Sequence, residues 1–151
     1  VSEGGSLLMS TANAEYRVAM CRERVMNSGQ SCAEVTVVRK ADMMIGVGRP
    51  TLDPNTAEAY ETVGFWGMHS YDGQLLHNGT CQGWEGMQGY DTGDVLRLLL
   101  DSDAGTLTVK KNGSLLGVAV TSGLTGDLCW AVSCWSTSDS VRIKALDPAE
   151  F

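Results

Sequence analysis

The sequence contains no apolar run near the roughly 18 to 20 residues needed to cross a bilayer. Its start, Val1 to Ser10, also lacks the basic flank and apolar core of a signal peptide. No membrane partner is expected, and the reading is an intracellular protein, cytoplasmic or nuclear. Cations are scarce, since 11 Lys and Arg against 18 Asp and Glu leave a net charge of −7. Nucleic-acid binding rests on neutralising phosphates with Lys and Arg, so no nucleic-acid partner is expected either. There are only two histidines, His69 and His77, and neither belongs to a His-x-x-x-His zinc pattern or a Gly-x-Ser-x-Gly elbow. A phosphate-cradling loop is missing as well. Gly46-x-Gly48 runs into Arg49-Pro50-Thr51, and Gly83-x-x-Gly86-x-x-Gly89 lacks a following lysine and helix. No enzyme activity, catalytic residue, metal or cofactor is expected.

The five cysteines, Cys21, Cys32, Cys81, Cys129 and Cys134, are an odd count without metal-ligand spacing. Cys129 and Cys134 are an odd number of positions apart, so on one strand they would face opposite sides about 16 Å apart. Free, mostly buried thiols in a reducing compartment follow. Asp101-Ser102-Asp103-Ala104-Gly105 has the acidic character of a calcium loop, but Gly105 and Asn112 stand where further ligands are required. A turn built by Asp and Gly is the reading.

What is present is β-sheet patterning in a chain of 151 residues with 43% apolar content, enough for one domain with a real core. The stretch 93–120 holds three short apolar runs separated by Asp101 to Gly105 and by Asn112-Gly113, a pair suited to a tight hairpin. Leu107 and Val109 alternate with Thr106, Thr108 and Lys110, which predicts a strand with one buried face. Leu96, Leu98, Leu99 and Leu100 put apolar groups at both parities, which predicts a strand between two covers.

These residues carry a resemblance. Gly93-Asp94-Val95, Leu100-Asp101, Ala104-Gly105-Thr106-Leu107, Asn112-Gly113 and Leu116-Gly117-Val118-Ala119 resemble the central signature of SPRY domains. Upstream, Glu34-Val35-Thr36-Val37, Ile45-Gly46-Val47-Gly48, Trp66-Gly67 and His77-Asn78-Gly79 match earlier marks in order; downstream, Ala131-Val132-Ser133 and Val141-Arg142-Ile143 match the last two strands. The resemblance implies an all-β, concanavalin-like bent sandwich of two antiparallel sheets that binds proteins or peptides with the loops at one end. Leu52-Asp53-Pro54 has the form of a PRY-segment mark but follows the Glu34 strand instead of preceding it, so the domain is read as lacking a PRY segment. The organisation expected is a frayed lead over 1–9, a single domain over 10–147 and a tail over 148–151, monomeric in isolation.

Along the chain, Leu7-Leu8-Met9 suggests one edge strand or turn. Residues 16–26 can be drawn as a loose strand or as a helix, and the resemblance favours strand and loop. Residues 49–64 lack period-2 patterning and contain Pro50 and Pro54, which marks a long connection that is expected to be functional or mobile. Residues 80–92, with Gly83, Gly86 and Gly89, read as a shaped loop. Trp66, Trp84 and Trp130 are core candidates, whereas Trp135 ends its strand beside Ser136-Thr137-Ser138-Asp139 and is expected to be half exposed.

The candidate partner site follows from the resemblance to SPRY proteins that capture short peptides, such as the SPRY and SOCS-box family. Their pocket takes a tyrosine from the long loop, here Tyr60, a wall after the Ala-Val-Ser strand, here Trp135, Ser136 and Thr137, and a wall before the Glu34 strand, here loosely Asn13 to Arg17, with Tyr16 and Arg17 as the candidates. Met68-His69 and Ser136-Thr137 depart from the residues of those binders, so the same peptide motif is not implied. Two alternatives stand beside this protein- or peptide-binding reading. One is permanent docking inside a larger assembly through Met43, Met44, Met68 and Met87. The other is a carbohydrate-binding or hydrolytic sandwich.

Overall fold

A computed structural model describes the backbone of residues 6–9 and the full residues 16–151. In chain order the strands are β1 (Ser6–Met9), β2 (Arg17–Met20), β3 (Gln30–Arg39), β4 (Met43–Gly48), β5 (Phe65–His69), β6 (Leu75–His77), β7 (Thr80–Gln82), β8 (Val95–Asp101), β9 (Thr106–Lys111), β10 (Ser114–Val120), β11 (Cys129–Cys134) and β12 (Ser140–Leu146). They form two six-stranded sheets, β1-β12-β3-β8-β9-β10 and β2-β11-β4-β5-β6-β7, with every pairing antiparallel. The all-β sandwich expected from the sequence is the architecture observed.

The main core lies between the sheets. Val35, Val37, Leu96, Leu98, Leu100, Leu107 and Val109 from one sheet meet Met43, Ile45, Val47, Trp66, Met68, Trp130 and Val132 from the other. The alternation that places them there is the period-2 pattern of each strand. A second, smaller core covers the outer face of the β2–β7 sheet. It joins Tyr16, Val18, Met44, Ala59, Phe65, Leu76 and Ala131, with Leu52 and Tyr60 packed against it. Residues 49–64 supply Leu52, Ala59 and Tyr60, so the long connection is a cover that folds back over its own sheet. Burying Met44 and Phe65 in this way stabilises the fold by ~1.5–3 kcal/mol each.

This second core explains why β4 and β11 are buried along their whole length. Odd and even residues both find cover, one set between the sheets and the other beneath residues 49–64. Close approach is needed on the outer face. A Cβ on Gly46 would lie 1.9 Å from the Trp66 carbonyl oxygen, so no other residue fits there without displacing β5.

Several expectations require correction. Val95 to Leu100 does not sit between two full covers: Leu96, Leu98 and Leu100 are buried while Val95, Arg97 and Leu99 are only half-buried. The partial cover on that face comes from the C-terminal turn, where Arg97 Nη1 donates to the Glu150 carbonyl at 2.6 Å and Lys110 Nζ sits 4.5 Å over the Phe151 ring. Residues 148–151 are therefore more than a tail. Pro148–Glu150 is a 3-10 turn whose start is capped by Asp147 accepting from the Ala149 amide at 2.9 Å. Residues 80–92 are not all loop, because the turn at Asn78-Gly79 pairs Thr80–Gln82 with β6. Of the open pair of readings for residues 16–26, the strand is observed, as β2. Within the expected frayed lead, Ser6–Met9 pairs with β12 as an edge strand; residues 1–5 lie outside the described residues.

Candidate functional site

The candidate residues fall at the end of the β2–β7 sheet where β2 begins, β11 stops and β4 begins. Register fixes this meeting point, since Cys134 pairs with both Arg17 and Met43. Tyr16 precedes β2 and Trp135 follows β11, so the two aromatics project from adjacent strand ends. Tyr60 arrives from residues 49–64 on a 3-10 turn, Ala59–Glu61, entered through Glu58 in a left-handed conformation with φ 55°. The hairpin turn after β6 holds it, because Gly79 donates to the Tyr60 carbonyl at 3.0 Å.

The three rings form one cluster. Tyr16 meets Tyr60 edge to face with centroids 5.6 Å apart, and meets Trp135 at 4.9 Å and 60°. Both separations are in the range of favourable aromatic pairs. Tyr16 is the buried centre, Tyr60 is half-buried, and Trp135 leaves 37% of its surface to solvent. Arg17 is half-buried and its guanidinium donates to the Asn55 carbonyl, tying the start of β2 to residues 49–64. Ser136 is half-buried and its hydroxyl shares a 3.0 Å hydrogen bond with that of Ser138, while Thr137 is exposed at the turn. All six sequence candidates thus lie on segments that converge at one end of the sandwich.

Beneath the rings is a polar layer that sequence reasoning did not identify. The Tyr16 hydroxyl donates to Asp42 Oδ2 at 2.5 Å, and Asp42 Oδ1 is 2.8 Å from His69 Nε2. His69 also stands 3.9 Å from Asp72 through Nδ1. Burial, and next the bond to Asp42, pushes the Tyr16 phenol well above the usual tyrosine range. Burial also raises Tyr60, with Glu58 and Glu61 adding to it. The Tyr16 phenol is therefore held neutral as a donor to Asp42. Ser70 is buried, with its hydroxyl accepting from the Met43 amide at 3.2 Å, so it is not presented as a nucleophile.

Asp139 is the second missed residue. Its side chain is fully buried, and each oxygen accepts from one pair of backbone amides. Oδ1 takes Ala41 at 2.5 Å and Asp42 at 3.2 Å; Oδ2 takes Trp135 at 3.0 Å and Ser136 at 2.9 Å. An Asp in a polar run signals a turn, but nothing in the sequence reveals that its carboxylate reaches amides 97 and 98 positions away.

A cavity of about 720 Å³ lies elsewhere, between the edge strands β7 and β10, with Trp66, Leu75, His77, Trp84 and Val118 among its walls. None of the six candidates lines it. Methionine does not supply an outer face: Met43, Met44 and Met68 are buried, and only Met87 of the four expected to mark a docking surface is exposed. The expectation failed because these residues lie within β4 and β5, strands covered on both sides, and not in loops. Among the described residues no helix is long and apolar enough to cross a membrane.

Two facing antiparallel sheets define a β-sandwich, with an aromatic cluster at one loop end. Comparison with known proteins narrows the class. The SPRY domain model matches residues 34–145, and the chain belongs to this family. SPRY domains generally act as protein-interaction modules and are typically non-catalytic. The chain is similar to F-box/SPRY domain-containing protein 1 of Drosophila ananassae, 40% identical over 58 residues that cover 36% of this chain and 23% of that protein. It is similarly related to the protein of the same name from Anopheles gambiae, 40% identical over 60 residues covering 37% of this chain and 23% of that protein. The match thus spans about a quarter of the length of these relatives. The crystal structure of the SPRY domain of human HERC1 superposes with a TM-score of 0.80 at 21% identity, covering 97% of this chain and 92% of that one, a likeness of fold.

Proposed function

We propose that the domain is a non-catalytic module that holds a short extended segment of a partner protein at the Tyr16, Tyr60 and Trp135 cluster, with Arg17, Ser136 and Thr137 at its rim. The observation that carries this reading is the packing of three aromatic rings from three distant segments at one loop end, with Trp135 left 37% exposed. Loops on a rigid scaffold suit recognition, and Tyr and Trp offer large contact area with little rotamer entropy to lose. The burial of Met43, Met44 and Met68 weighs against permanent docking through a methionine face. The five free cysteines accord with a reducing, intracellular setting, and the module acts as a monomer in isolation.

The test is a random-peptide display selection on the purified domain, repeated with Tyr60→Ala and Trp135→Ala. Peptides that bind the parent and lose affinity for both folded variants support the reading. Peptides that bind all three equally overturn it.

A further inference from the structure

We propose that Asp139 is the positioning residue of this site: its buried carboxylate fastens the β3–β4 turn to the β11–β12 turn before any partner arrives. The two turns are remote in sequence and are set side by side by the ladders that flank them, Arg39 opposite Ser140 and Met43 opposite Cys134, but residues 40–42 and 135–139 make no strand pairing themselves. Yet one oxygen of Asp139 takes the Ala41 and Asp42 amides while the other takes those of Trp135 and Ser136. A buried carboxylate that accepts several backbone amides is strongly held, because charge-assisted bonds are stronger than neutral ones and an unmet buried charge is costly. The fastening is reinforced from the backbone, since the Trp135 amide also lies 3.0 Å from the Asp42 carbonyl and the Asp139 amide donates to the Ser136 carbonyl at 3.0 Å.

The consequence reaches the aromatic cluster along two branches. Trp135 is fixed directly, through its own amide. Tyr16 is fixed through Asp42, whose backbone Asp139 holds and whose side chain accepts the Tyr16 hydroxyl at 2.5 Å. Asp139 itself is fully buried, so it acts on binding by keeping the loops in one arrangement. Such preorganisation lowers the ordering cost that association otherwise bears.

The first experiment needs neither a variant nor a ligand. Amide hydrogen exchange on the parent domain is expected to find Ala41, Asp42, Trp135 and Ser136 protected like the β4–β11 ladder, although all four lie in turns. Exchange as fast as at Gly113, in the β9–β10 turn, overturns the proposal whatever the domain binds. The second arm rests on the binding reading above and uses a display-selected peptide as probe. Asp139→Asn, which sets an amide nitrogen against amide donors, should deprotect those four sites selectively, alter Trp135 emission and slow peptide association. If the competent arrangement falls to about one tenth of the population, apparent affinity falls about tenfold. A remote core variant such as Leu124→Val serves as control and should leave association unchanged. Equal slowing in that control would make the Asp139 effect one of general stability and sink the proposal. Intact exchange protection without any peptide binder would instead count against the binding reading alone.

Discussion

The rings of Tyr16 and Trp135 lie 4.9 Å apart at 60°, although one stands before the second strand and the other after the eleventh. The antiparallel pairing of β2 with β11 joins them, with Arg17 opposite Cys134, so each aromatic is the next residue beyond a shared strand end. The two have different surroundings. Tyr16 is enclosed by the second core and held by Asp42; Trp135 has open solvent on one side.

That difference separates packing from recognition. Tyr16→Ala should cost ~3–5 kcal/mol of folding stability, as large-to-small changes at buried aromatics do. Trp135→Ala should leave the thermal midpoint nearly unchanged and weaken partner binding by ~1–4 kcal/mol. Chemical denaturation and peptide titration on both variants check this; a Trp135→Ala domain that fails to fold would assign that ring to the core.

Stability should decline on the alkaline side. The phenols of Tyr16, Tyr60 and Tyr90 are all raised in the folded chain, chiefly by burial. A raised group contributes stability that is complete below its unfolded value, about pH 10, and is lost as pH rises through the folded value. Thermal midpoints measured from neutral pH to beyond 10 should therefore fall, and the fall should be shallower in Tyr16→Phe. A flat alkaline limb would contradict the arrangement around Tyr16.

The two left-handed glycines Gly79 and Gly86 should tolerate substitution unevenly. Gly86 has φ +87°, and a Cβ there would come 1.9 Å from the Leu116 carbonyl oxygen on β10. Gly86→Ala should cost ~3 kcal/mol or more, combining left-handed strain with a backbone collision. Gly79, at φ +70° with open space around it, should lose only ~1–2 kcal/mol as alanine. Urea unfolding compares the pair, and equal losses would contradict the close approach of residues 83–89 to β10.

Thiol reactivity should follow position in the sandwich. Cys81 is exposed on β7, whereas burial pushes the Cys129 thiol up to about 11 and the Cys134 thiol up to about 12. Because the thiolate is the nucleophile, an alkylating reagent at neutral pH should modify Cys81 first and Cys129 and Cys134 last, as read by peptide mass mapping. Modification of Cys134 at the rate of Cys81 would be incompatible with its position in β11.

The legible part of the chain was that governed by neighbours in sequence. Leu107 and Val109 alternating with Thr106 and Thr108 gave β9, and Asn112-Gly113, with φ 50° and 83°, gave the β9–β10 hairpin. Trp135 at a strand end beside a polar run was expected to be half exposed, and is. The second core was not legible, because residues 49–64 carry no period and their apolar members Leu52, Ala59 and Tyr60 gain meaning only when folded onto Met44 and Phe65. Without that cover in view, the methionines of β4 and β5 looked like surface.

The sequence by itself determined most of the strands and turns, since these follow from local alternation and from turn residues that restrict the backbone nearby, and its resemblance to SPRY domains implied the sandwich class. Only the tertiary structure decided that Asp42, His69 and Asp139 belong beneath Tyr16, Tyr60 and Trp135. The physical reason is range: a strand's face is set two residues at a time, whereas a buried carboxylate finds its amide donors nearly a hundred residues away, through strand pairings that exist only once both sheets have formed.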